Sequence, residues 1–185
     1  MPLLASLRVY SLGEFMTLDA ATRRNLELTE TLDGGCNGSL LGVLDHTVTP
    51  MGKRLIRQWV SQPLLDVKRI LGRQAGVEFF FTRSMLRAEL RSALKPLADL
   101  ERVVNRILSA HAQPRDLVAL RETLLRLPSI LLMFSVENTS SILPIKSLDP
   151  CTEVLTLLLS AIDNDPPATL SNTGIIRPGF SAELD

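Results

Sequence analysis

The chain has 185 residues, 45% of them apolar and only 4% aromatic, and its 20 basic and 20 acidic side chains cancel to zero net charge. That apolar share excludes a disordered chain, the length supports one good core, and the neutral balance excludes a strongly basic nucleic-acid domain. Helices packed by leucine suit this composition better than a sandwich or barrel, so the expected fold is mainly α, many-helixed, with a few short peripheral strands.

Leu7–Tyr10, Phe15–Asp19 and Leu26–Thr29 read as short extended pieces around Ala20–Asn25. Residues 1–15 suit the end of a preceding connector or linker. Asp33–Gly38, with three glycines, is a turn, and Ser39 offers an N-cap for a short helix through Leu44. Thr49 caps the next helix, with Pro50 at its first position, where a missing N–H costs nothing. Met51, Leu55, Ile56, Trp59 and Val60 share its apolar face, and Pro63 stops it.

Asp66 caps a helix whose expected stripe is Val67, Ile70, Leu71, Val77 and Phe81; Gly72 and Gly76 inside it suggest close helix–helix contact. Leu86, Leu90, Ala93, Leu94 and Leu97 keep helical spacing up to Pro96. Asp99 caps a helix with Leu100, Val103, Val104, Ile107 and Leu108 on one face. Pro114 opens another, with Leu117, Leu120, Leu124 and Leu127 inward and Pro128 as its expected end. The short connections predict neighbours packed side by side.

Residues 135–150 are rich in Ser, Asn, Thr and Pro and read as a surface loop. A helix over about Cys151–Ile162 follows, with Val154, Leu155, Leu158 and Ile162 apolar. Gly174–Phe180 reads as strand and turn. Ser181 could cap a helix that the sequence leaves unfinished at Asp185, which suggests part of a longer protein.

The charge is unevenly spread: up to Leu127 there are 18 basic against 13 acidic residues, and the remainder is net acidic. Arg23-Arg24 and Lys53-Arg54-Arg57 are the best basic clusters. They could meet DNA phosphate or an acidic face of another domain, but local pairing with Asp19, Glu27, Asp45 or solvent is favoured. Trp59, on an apolar face, reads as core rather than a base-stacking platform. Cys36 and Cys151 stand far apart and read as free thiols of a reducing compartment. No apolar run approaches a membrane span, and no secretory leader pattern is present.

No Gly-x-x-x-x-Gly-Lys-Ser/Thr phosphate loop occurs. His46 and His111 are isolated from any metal-ligand or triad spacing, and acids such as Asp99 and Glu101 sit where helix capping explains them. Catalytic, cofactor-binding and metal-binding residues are therefore expected to be none.

Residue strings go further than periodicity. The run Leu18-Asp19-Ala20-Ala21-Thr22-Arg23-Arg24-Asn25-Leu26-Glu27-Leu28 resembles the opening of the core domain of the MutS mismatch-repair family. Ser39 to Gly52, with Asp45 and Thr49, continues through Arg54 and Trp59 to Pro63-Leu64 and is similar to the next signature. Asp99-Leu100-Glu101-Arg102, Pro114-Arg115-Asp116-Leu117 and Ile176-Arg177-Pro178-Gly179-Phe180 then appear in the family's order.

The resemblance implies a helical core, or lever, domain that joins mismatch-binding and connector domains to a clamp over DNA. Lever helices would run on to an ATPase that also dimerises. ATP and magnesium, mismatched duplex DNA and a second MutS subunit would then belong to the whole protein, in the cytoplasm, and this chain would couple rather than catalyse. Arg23, Arg24, Asn25, Asp45, Thr49, Gly52, Arg54, Trp59, Pro63, Asp99, Glu101, Arg102, Arg177 and Gly179 are the motif positions assigned to that coupling. The competing expectations are a free-standing helical module of a recombination-type relative, an autonomous DNA-binding domain and, last, an enzyme.

Overall fold

A computed structural model describes residues 13–134, 148–171, 173–181 and 183. The strand expected at 7–10, most of the loop at 135–150 and the helix expected after Ser181 lie outside the described residues. Among those described, the chain is mainly helical, and it divides between Arg87 and Ala88 into two compact units.

The N-terminal unit holds α1 (Ala20–Asn25), α2 (Leu40–Leu44), α3 (Pro50–Ser61), α4 (Val67–Thr82) and the start of α5 (Ser84–Leu94). Each of the first four helices begins at a side-chain cap. Asp19, Ser39, Thr49 and Asp66 accept from the N–H groups of Thr22, Gly42, Gly52 and Arg69 at 2.6, 3.1, 3.1 and 3.2 Å. These satisfy donors that a helix leaves orphaned at its first turn. The caps read from the sequence at Ser39, Thr49 and Asp66 all form.

The two described extended pieces differ in outcome. Phe15 makes an isolated antiparallel bridge with Leu64, supported by Met16 N–H to the Pro63 carbonyl at 2.8 Å. Leu26–Thr29 is a turn: Leu26 N–H donates to the Thr22 carbonyl at 3.0 Å, and Glu27 takes a left-handed φ of 46°. Backbone bonds from Leu40 and Leu41 to the carbonyls of Glu27 and Leu28, at 3.0 and 2.9 Å, use up the groups a strand would have offered. Helix α3 ends at Ser61 because Gln62, just before Pro63, has already left the helical region at φ −133° and ψ 75°.

In α4 the expected stripe faces out: Val77 and Phe81 are 69% and 76% exposed, while Phe79 is buried. Apolar residues surround this helix, so period alone does not choose which side packs. The close contact expected at Gly72 is absent, since a Cβ there would meet open space.

The C-terminal unit holds the rest of α5 with α6 (Leu100–Leu108), α7 (Pro114–Leu132) and α8 (Thr152–Ala161). Asp99 caps α6 by accepting from Arg102 N–H at 3.2 Å, and Asp116 accepts from Gln113 N–H at 2.7 Å at the start of α7. The core joins α6, α7 and α8 through Val103, Leu120, Leu124, Leu158, Ala161 and Ile162. Leu100, Leu117, Leu127 and Leu155 flank it, as their spacing predicts. Val104, Leu108 and Val154 do not join it and stand exposed. Short helices present a narrower packed stripe than a four-residue repeat suggests.

Pro128 does not end α7, which runs on to Leu132. A mid-helix proline costs roughly 3 kcal/mol. Burial of Ile130 and Phe134 beyond it supplies an offsetting gain.

Candidate functional site

Three local arrangements stand out. In the first, the turn before α2 supports both α2 and the loop ahead of it. The fully buried Ser39 hydroxyl donates to the Cys36 carbonyl at 2.6 Å while its oxygen accepts from Gly42 N–H. A Cβ on Gly42 would overlap that same carbonyl oxygen, so only glycine fits there. Asp45 then accepts from the Thr47 hydroxyl at 2.6 Å and from Thr47 N–H at 3.1 Å. The Thr47 side chain, then its backbone N–H, hold the Asp45 carboxyl below its ordinary value, with Lys53 and His46 adding favourable charge. Gly52 lies against this corner: a Cβ would stand 3.0 Å from the Thr49 hydroxyl and 3.4 Å from Thr47.

The second arrangement is a cleft of about 640 Å³ between α1 and the turn after it. Leu18, Arg23, Arg24, Thr29, Glu30 and Leu32 line it. The Asp19 cap beside it is held below the usual carboxylate range by the Thr22 backbone and then the Thr22 hydroxyl. Across the unit, Arg57 pairs with Glu30 at 3.1 Å and Arg69 with Glu14 at 2.9 Å. None of these is a pairing expected from the sequence.

In the third arrangement, two guanidinium groups hold the end of α8. Buried Arg121 donates to the carbonyls of Ile162 and Asp163, each at 3.1 Å. Arg177 donates from Nε to the Ile162 carbonyl at 2.9 Å and from Nη2 to Asn164 Oδ1 at 2.6 Å. Its own N–H bonds the Ala161 carbonyl at 2.8 Å, within the short bridge Ile162–Ile176. Positive charge at a helix C-terminus meets the negative end of the helix dipole. Arg121 was not singled out from the sequence. Its position four residues after Leu117 and three before Leu124 puts a charge on the inward stripe, and that was the available signal.

The motif positions distribute accordingly. Arg23, Arg24 and Asn25 end α1 and are exposed. Asp45, Thr49 and Gly52 meet at the α2–α3 corner, and Arg54 and Trp59 lie along α3. Trp59 is not core: it is 39% exposed, with the Arg73 guanidinium stacked 3.7 Å from its ring centre. Burial, then repulsion from Arg69, lowers the Arg73 pKa. Pro63 gives its carbonyl to Met16. Asp99, Glu101 and Arg102 form the first turn of α6, Arg177 grips the α8 end, and Gly179 turns the chain at a φ of 82°. Cys36 and Cys151 are free thiols, as expected.

The family model for MutS domain III matches residues 21–183, from within α1 to beyond the Arg177 turn. The chain belongs to the MutS family. Its relatives include the DNA mismatch repair protein MutS of Pelotomaculum thermopropionicum, 45% identical over 179 residues that cover 95% of this chain. Those of Symbiobacterium thermophilum and Salinibacter ruber are 43% and 40% identical, covering 98% and 100% of this chain. The chain spans about a fifth of the length of these relatives, 21% in each case.

Domain III of MutS is thus the level at which the three arrangements are to be understood. Among the described residues, no three His, Cys, Asp or Glu side chains gather where they could hold a metal ion. The sequence contains no Gly-x-x-x-x-Gly-Lys-Ser/Thr phosphate loop. No helix among the described residues is long and apolar enough to cross a membrane.

Proposed function

We propose that this chain is the mechanical core of a mismatch-repair protein, carrying displacement between its DNA-binding and nucleotide-binding parts. In this reading the chain performs no catalytic step. ATP and magnesium act elsewhere in the whole MutS, whose partners are mismatched duplex DNA and a second subunit, in the cytoplasm. The observation that carries the proposal is the match to domain III over residues 21–183, on a chain in which Thr49 caps the start of α3 and Arg121 holds the end of α8.

The physical basis is simple. Dense interiors are poorly compressible, so a displaced helix moves its neighbours, and two ligands that bias one shared rearrangement are coupled. Helix α3 supplies a lever whose start is set by the Thr49–Gly52 corner and whose end bears the Trp59–Arg73 stack. Helix α6, set by Asp99 and tied to α7 by Arg106 and Asp116 at 3.0 Å, is the corresponding lever of the other unit.

In a MutS protein carrying this chain as its domain III, Gly52→Ala or Trp59→Ala is expected to leave mismatch binding and basal ATP turnover in place. Stimulation of turnover by mismatched DNA should fall severalfold. Undiminished stimulation in both variants, each shown to be folded by its thermal transition, would remove the coupling role.

A further inference from the structure

The cleft beside α1 has chemistry that its own unit does not use. Arg23 and Arg24 both line it, both are exposed, and among the described residues no carboxylate lies within ion-pair distance of either. The acids nearby are already engaged: Asp19 caps α1, Glu27 accepts from Leu32 N–H at 2.7 Å, and Glu30 pairs with Arg57. Thr29, half-buried on the same wall, makes no hydrogen bond among the described residues and so offers hydroxyl, N–H and carbonyl to a ligand. Leu18 and Leu32 add apolar surface.

This combination selects among anions. A cleft of about 640 Å³ falls in the range of roughly 300–1,000 Å³ typical of ligand sites and far exceeds one phosphate ion. Duplex DNA offers a convex, evenly charged rail that is bound by tracks of cations. Here the two cations sit in a concavity with Glu30 in its wall and leucine on the same lining. A peptide carboxylate matches the planar fork of a guanidinium, an apolar side chain matches Leu18 and Leu32, and an extended main chain matches Thr29.

We propose that this cleft binds an acidic, apolar-interleaved peptide segment of a partner protein, through Arg23 and Arg24. The proposal stands apart from the coupling role and does not require it. The test titrates the isotope-labelled 185-residue chain with the capped hexapeptide Glu-Leu-Glu-Leu-Glu-Leu and follows backbone amides by NMR. Saturable shifts at Arg23, Arg24 and Thr29–Leu32 are expected, weakened about tenfold or more by Arg23→Gln with Arg24→Gln. The same peptide with glutamine for glutamate should not saturate.

No saturable shift at those amides, or equal affinity in the folded double glutamine variant, would overturn the proposal. So would saturation of the same amides by a duplex oligonucleotide or inorganic phosphate when the peptide fails. If the double glutamine variant loses its folded spectrum, the Arg23→Lys, Arg24→Lys pair decides. Severalfold weakening there supports fork recognition, and unchanged affinity contradicts it.

Discussion

The two units reach order by different means. In the N-terminal unit the buried residues are few, chiefly Ser39, Leu41, Leu64 and Phe79, and four helix starts are each set by a polar cap. In the C-terminal unit a contiguous apolar cluster joins three helices, and Arg121, the one deeply buried charge among its described residues, donates to the carbonyls ending α8. A corner held by one or two hydrogen bonds, each worth about 1 kcal/mol net, can rearrange at small cost, whereas a densely packed apolar cluster resists displacement as a whole. The proposed coupling role would use both: a body that does not yield and corners that do.

The sharpest way to break this contrast is to open the apolar cluster. Leu124→Ala, at a site only 4% exposed, is expected to cost about 3 kcal/mol from lost burial and an unfilled cavity. Chemical denaturation would measure it. A loss under about 1 kcal/mol would mean that this core does not dominate its unit.

A smaller effect should come from the corner. Gly42→Ala places a methyl group against the Cys36 carbonyl and should cost about 2 kcal/mol, with the strain confined to α2 and the turn before it. Thermal melts together with amide shifts would show whether the damage stays local. Spread into α7 and α8 would blur the distinction between the units.

The smallest effect concerns pH. The Asp45 carboxyl is held below its ordinary value of 3.8, so its contribution is present above that value and fades as pH falls through the lowered one. Asp45→Asn should therefore lower the N-terminal unit's stability slightly at neutral pH and flatten its acid limb, the variant and the parent converging once pH falls below the lowered value. An identical acid limb in the variant would assign the acid sensitivity to other carboxylates.

The same contrast explains what could be read in the sequence. Caps at Ser39, Thr49, Asp66 and Asp99 were legible because capping is local chemistry between residues three apart. The inward leucines of α7 were legible because a long amphipathic helix repeats its signal. The face of α4 was not, since apolar residues surround it and tertiary packing chose Phe79 over Phe81. Leu26–Thr29 looked extended by composition, yet long-range bonds from Leu40 and Leu41 made it a turn. Pro128 marked a helix end that burial beyond it overrode. Of the site, the motif strings were visible, but the Arg121 grip and the Arg57–Glu30 pair link residues 41 and 27 positions apart and depend on the fold.

Native-state hydrogen exchange on a MutS protein carrying this chain tests the central claim most directly. The amides of α7 and α8 should exchange only through the largest openings and keep their protection when mismatched DNA binds, while those of α2 and the first turn of α3 should change. Uniform change across both units, or no change at α2 and α3, would contradict a rigid body joined to adjustable corners.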